Sequence, residues 1–135
     1  MNIVEWNSSL SVKVTDFDLA HQKLFRLINE LNNAMLMGKG KDVAGNILKA
    51  LVDYTKTHFA DEEKYFVKFA YPETAAHKKQ HAEFTAAVSD FESKLAKGEV
   101  ALSSQIMSFL KDWLTKHIKG TDQKYGDFFN AKGLK

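Results

Sequence analysis

The sequence predicts an all-α protein: an up-down-up-down antiparallel four-helix bundle with an extended N-terminal arm and a short C-terminal helical tail. Three observations lead there. One proline and seven glycines in 135 residues are too few for a chain built from tight β-turns. Apolar side chains recur at three- and four-residue steps through four long segments, the period of an amphipathic helix. Strand-type alternation is sustained nowhere. The length fits one domain covering 1–135, divided into an arm (1–14), a bundle (15–119) and a tail (120–135).

The arm carries Val4, Trp6 and Leu10, which can close a hydrophobic edge. The first helix is expected over 18–37, with Thr15 or Asp16 as its cap and Leu24, Phe25, Ile28, Leu31 and Met35 on one face. Gly38 and Gly40, flanking Lys39, mark the turn that follows. The second helix is expected over 42–69, with an inner stripe of Ile47, Leu48, Leu51, Tyr54 and Thr55 continued by His58, Glu62, Phe66 and Phe69. Tyr71–Pro72 ends it and opens the third, since proline fits a first helical turn. The third helix, 73–96, has the stripe His77, His81, Phe84, Val88, Phe91 and Leu95, stopped by Gly98. The fourth, 103–119, presents Ile106, Phe109, Leu110, Trp113 and Leu114, extended by His117. A helical tail over 121–129 follows Gly120, with Gly126 and Gly133 read as further boundary glycines.

Composition excludes several classes of function. With 44% hydrophobic and 27% charged residues, the chain is an ordinary globular sequence. The absence of cysteine removes disulfides, thiolate metal sites, iron–sulfur clusters and a cysteine nucleophile. A net charge of +2 gives no basic surface that asks for nucleic acid or an anionic membrane. No apolar run approaches the roughly 18–20 residues of a membrane span. The start, MNIVEWNSSL, lacks a basic head followed by an apolar stretch, so the expected location is the cytoplasm, and the expected state a monomer.

The histidines carry the functional argument. All five, His21, His58, His77, His81 and His117, continue an apolar stripe. One such histidine is an ordinary core residue. Burying five leaves donors and acceptors that each cost about 1–3 kcal/mol if unpaired, and a metal takes up their lone pairs. His58 and Glu62 are four residues apart, as are His77 and His81, so each pair lies on one helix face. In an antiparallel bundle the starts of the first and third helices meet the ends of the second and fourth. His21, His77, His81, His58, Glu62 and His117 therefore converge at one end.

Five imidazoles and a carboxylate exceed the four ligands of a structural zinc, and two ions with bridging carboxylates accommodate them. Glu62 is in phase for a bridge. Asp61 and Glu63 are out of phase and read as solvated surface charge. A second bridge has to come from the fourth helix. Asp122 stands five residues after His117, about 140° away on a straight α-helix. Convergence needs a local widening near Gly120, as in a π-bulge, so spacing alone leaves Asp122 open between ligand and surface acid.

The segments HQKLFRLINEL at His21, HFADEE at His58 and Glu62, HKKQH at His77 and His81, and DWLTKHIKGTD at His117 and Asp122 resemble the hemerythrin family, in particular its bacterial single-domain members. The resemblance covers essentially the whole chain. It departs at Ala20, where many bacterial relatives carry glutamine before the first histidine. The resemblance implies two iron ions, cycling between Fe2+ and Fe3+, with an oxo or hydroxo bridge. One is held by His77, His81 and His117, the other by His21 and His58, with Glu62 and Asp122 spanning both. The ion with two histidines keeps an open position for O2, and a dry wall of Phe59, Trp113, Leu114 and Ile118 protects it.

The implied function is reversible O2 binding for storage, transport or delivery, with an O2-consuming enzyme or a redox protein as partner. The alternatives are an O2 or iron sensor acting through a separate protein, a di-iron oxidase or peroxidase, and a metal-free bundle. Oxygen-activating ferritin-like sites use Glu-x-x-His motifs and more carboxylates, and no such motif occurs here.

Overall fold

A computed structural model describes residues 2–38, 41–99, 101 and 103–135. Lys39 and Gly40, part of the expected first turn, lie outside the described residues. A 3-10 turn at Ser8–Leu10 precedes α1 (Thr15–Leu36), α2 (Lys41–Lys68), α3 (Thr74–Ala96) and α4 (Ser104–His117). A π-helical segment, Ile118–Asp122, joins α4 to α5 (Gln123–Ala131). No strand occurs among the described residues. α1 packs against α2 and α4, and α2 against α3. No helix among the described residues is long and apolar enough to cross a membrane.

The first helix starts three residues earlier than expected, and neither Thr15 nor Asp16 caps it. Val14 occupies the cap position without a side-chain hydrogen bond. The acid that acts is Asp18, whose carboxylate accepts from the Val12 amide at 2.8 Å and the Ser11 hydroxyl at 2.6 Å. Asp18 thereby ties the arm to the first turn. Further along, the Asn29 side chain receives the amides of Ile3 and Val4 and donates to the Val4 carbonyl. So anchored, the arm buries Val4, Leu10, Val12 and Val14 over the bundle, with Trp6 half-buried beside them.

The core follows the expected stripes, with one shift of phase. On α1, Leu24, Phe25, Ile28 and Leu31 are buried; on α2, Leu48, Leu51, Val52, Thr55 and Phe66. Ile47, Tyr54 and Phe69 are only half-buried. On α4 the buried line is Met107, Leu110, Leu114 and His117, while Phe109 is 38% exposed. The helix is rotated because His117 and Leu110, seven residues apart, both face the interior, which puts Met107 inside and Phe109 at the edge.

Gly126 is not a boundary. It lies inside α5 and is buried, and a Cβ there would come within 2.5 Å of the Val12 carbonyl oxygen. The arm crosses α5 at this point because nothing projects from the helix. Asn130 and Gln123 fasten the crossing by donating to the carbonyls of Lys13 and Ser9. Gly126→Ala is therefore expected to destabilise the protein by about 1–3 kcal/mol through overpacking, despite the roughly 1 kcal/mol that alanine gains in an unhindered helix. Urea unfolding measures this, and a variant as stable as the parent contradicts the close crossing.

Candidate metal centre

Each candidate ligand reaches the centre by helix phase. His21 sits in the second turn of α1, His58 and Glu62 lie one turn apart in the second half of α2, and His77 and His81 occupy the first turns of α3. His117 ends α4. All are buried, and so is Asp122. The π-helical segment is what brings Asp122 in. The Gln123 amide donates to the Ile118 carbonyl, five residues back, and this wider turn places Asp122 Oδ1 3.0 Å from His117 Nε2.

The two carboxylates each face both histidine groups. Asp122 Oδ1 lies 2.8 Å from His77 Nε2, while its Oδ2 lies 3.1 Å from His21 Nε2. Glu62 Oε1 is 3.2 Å from His81 Nε2 and 3.6 Å from His58 Nε2, and its Oε2 is 3.8 Å from His21 Nε2. Two overlapping donor sets result. Glu62, His77, His81, His117 and Asp122 form one, and His21, His58 and Glu62 the other, with all ligand atoms of a set within 4.8 Å of one another.

These contacts are not a satisfied hydrogen-bond network. His21 Nε2, His58 Nε2, His81 Nε2, Glu62 Oε1 and Asp122 Oδ1 are all buried without a hydrogen-bond partner. These atoms face one shared space, in which His77 Nε2 and His117 Nε2 also lie 3.1 Å apart. Orphaned groups of this kind cost about 1–3 kcal/mol each, and cations placed among them remove the cost. The residues present fit a pair of metal ions, with nitrogen donors predominating over oxygen.

Outside the centre, three side chains hold the ligands in place. Glu63 Oε2 lies 2.8 Å from His81 Nδ1, so the expectation that Glu63 is solvated surface charge is wrong. Its side chain is only 26% exposed because it follows Glu62 round α2 onto the α3 side. Asp61, on the opposite side, is exposed as expected. Gln80 Oε1 lies 2.8 Å from His117 Nδ1 and accepts from the Thr121 hydroxyl at 2.9 Å. The buried Tyr125 hydroxyl donates to Glu62 Oε2. Fixing the second nitrogen of an imidazole sets its tautomer and aim.

Sequence reasoning missed Gln80 and Tyr125. Both carried a signal. Gln80 sits between the histidines of HKKQH, and Tyr125 comes three residues after Asp122, on the same helix face. It also missed Phe17 and Phe66, which pack on the rings of His58 and His77. Of the four wall residues expected, Phe59 stacks on His81 at 3.7 Å between centroids, and Trp113 on His117 at 4.5 Å. Leu114 and Ile118 are buried alongside, and Trp113 is half-buried.

Comparison with known proteins places this geometry. Residues 12–129 match the hemerythrin HHE cation-binding domain. A bacteriohemerythrin of Stenotrophomonas maltophilia is 32% identical over 131 residues, 97% of this chain and 84% of its own. One of Methylococcus capsulatus is 30% identical over 132 residues, 97% of this chain and all of its own. A crystal structure of wild-type hemerythrin superposes with a TM-score of 0.89 at 30% identity, covering 93% of this chain and 96% of that one. The fold and site define a helical-bundle metal-binding protein. The chain belongs to the hemerythrin HHE cation-binding family.

In the metal-free chain the site is electrostatically divided. Burial disfavours charge on His21, but the carboxylates of Asp122 and Glu62 outweigh it and raise the imidazole to about 9. Burial dominates at His58 and lowers it to about 4, with Glu62 only partly opposing. Burial likewise pushes against ionised Asp122 and Glu62, yet the surrounding histidines hold both carboxyls below their ordinary values. Burial together with the Glu62 charge lifts the Tyr125 phenol well above its usual range.

Stability of the metal-free protein should therefore peak near pH 6.5. From pH 6.5 down to about 4 the unfolded chain binds a proton at His58 that the folded chain refuses, so stability falls with pH. From pH 6.5 up to about 9 the folded chain keeps a proton at His21 that the unfolded chain has released, so stability falls as pH rises. Thermal melting of chelator-treated protein across pH 4–9 measures the profile. A Tm rising steadily toward either extreme contradicts the assignment.

Proposed function

We propose that this chain binds O2 reversibly at a pair of iron ions, for storage, transport or delivery. The observation that carries the reading is the division of labour at the carboxylates, each of which faces both histidine groups. His77, His81 and His117 would hold one ion, His21 and His58 the other, and Glu62 and Asp122 both. Two ferrous ions, when bound, supply the two electrons and the vacant coordination position that capture of O2 needs. With three imidazoles against two, the ion on the His21–His58 side would be the one to keep that vacancy.

The chain's own residues make such capture reversible. Five neutral imidazoles and two carboxylates give a centre poorer in negative charge than carboxylate-rich oxidases have, which disfavours high oxidation states. Phe59, Leu114 and Ile118 exclude bulk water, and Trp113 closes the side of His117. Exclusion of water keeps protons from a reactive bound molecule. Glu63 and Gln80 keep His81 and His117 aimed, and Tyr125 steadies Glu62. The continuity of the core from Val4 to Phe129 supports a single domain across 1–135.

The anaerobically reduced protein is expected to carry about two irons per chain. On exposure to O2 it should develop a visible charge-transfer band that disappears when O2 is removed. Irreversible O2 consumption with turnover of a reductant would favour the oxidase or peroxidase alternative. His77→Ala should lose iron, and metal analysis that still finds both irons in this variant refutes the ligand set. Glu63→Gln should fold normally yet bind iron roughly 10- to 100-fold more weakly, the cost of losing an outer partner of a ligating histidine. Unchanged affinity in a chelator competition would leave Glu63 without that role.

A further inference from the structure

Between α1 and α2 lies a cavity of about 230 Å3, lined by Asp16, Phe17, Ala20, Tyr54, Thr57, His58, Asp61, Lys64 and Tyr65. Its floor is made of three buried residues, Phe17, Ala20 and His58. Its mouth is polar, with Asp16, Thr57, Asp61 and Lys64 exposed. The imidazole of His58 borders both this cavity and the metal centre, since the same ring presents Nε2 to Glu62 Oε1 at 3.6 Å. No other candidate ligand lines the cavity.

Two of the other histidines have side-chain partners behind them, Glu63 for His81 and Gln80 for His117, while Nδ1 of His21 and of His77 is buried without one. His58 has a cavity there. Ala20 contributes only a methyl group to the floor, and a larger side chain at this position would project into the space beside His58.

Resting on the proposed function, we propose that this cavity is the entry port for small neutral molecules to the His21–His58 half of the centre, with Ala20 as the residue that leaves it open. The volume admits a few waters or a di- or triatomic molecule. Its charge selects among them. Two carboxylates, Asp16 and Asp61, stand against the single ammonium of Lys64, so the mouth repels small anions and leaves O2 and hydrogen peroxide unhindered. The port thus serves the side of the centre on which the open position falls, and Ala20 sets the rate of arrival.

Two measurements test the port, one of them independent of iron. In zinc-substituted protein, dissolved O2 should enhance the NMR relaxation of the Ala20 methyl several-fold more than that of the Ala34 methyl, which is buried on the same helix away from the cavity. Equal enhancement overturns the proposal. In the diferric protein, Ala20→Leu should slow azide association about tenfold in stopped flow. Asp16→Asn combined with Asp61→Asn should speed it several-fold, while hydrogen peroxide, being neutral, reacts at the parent rate. Thr57→Trp, a change at an exposed position of the mouth, should slow both reagents and covers the case in which Ala20→Leu fails to fold. Unchanged azide rates in the Ala20 and Thr57 variants overturn the port while leaving reversible O2 binding standing. A chain that takes up no iron yet shows the Ala20 enhancement keeps the port and sinks the functional reading.

Discussion

Seven donor side chains buried around one space leave several lone pairs without partners, and cations placed between them satisfy those lone pairs. That constraint organises the rest of the molecule. It places His21, His58, Glu62, His77, His81, His117 and Asp122 at one end, all nearly inaccessible to solvent. It also demands rigid support, because an imidazole displaced by rotation would be an unpaired buried dipole. The support is visible in Glu63, Gln80 and Tyr125 behind the ligands, in Phe59 and Trp113 stacked on the rings of His81 and His117, and in Phe17 and Phe66 packed at an angle against His58 and His77.

The chain solves a geometric problem at the end of the fourth helix. A regular α-helix cannot present positions 117 and 122 to one point. The π-helical turn at Ile118–Asp122 adds the needed residue to a single turn, and the rod then resumes as α5. This resumption has a structural use. α5 carries Tyr125 to Glu62 and Phe129 to the core, and its side-chain-free surface at Gly126 gives the N-terminal arm a place to cross. The arm in turn is fastened to α1 and α5, so the first and last segments of the chain brace each other beside the helix that carries Tyr125.

Much of this was legible in the residues. The 4-3-4-3-4 stripe of α3 and the i,i+4 pairs of α2 and α3 depend only on helix period, and the positions of the five histidines along antiparallel rods fixed their meeting point. Asp122 was legible only as a requirement, since its position needed a departure from the α-helical period that Gly120 hinted at. Glu63 was misread because helix phase describes where a Cα points and not how far a long side chain reaches. Gln80 and Tyr125 act by hydrogen bonds between helices, and the pairing of side chains across an interface is not written in the spacing within one helix. The cap of α1 was misassigned because Asp18 had a stronger use, binding the amide and hydroxyl of a folded-back arm that local sequence rules do not foresee.

The central claim is that the seven donors hold two neighbouring ions rather than one. Iron K-edge X-ray absorption on the reconstituted, oxidised protein tests it directly. The account predicts a nitrogen-rich inner shell together with iron–iron scattering at about 3–4 Å. An oxygen- and nitrogen-ligated iron without any metal–metal contribution, in protein loaded to full occupancy, would contradict it.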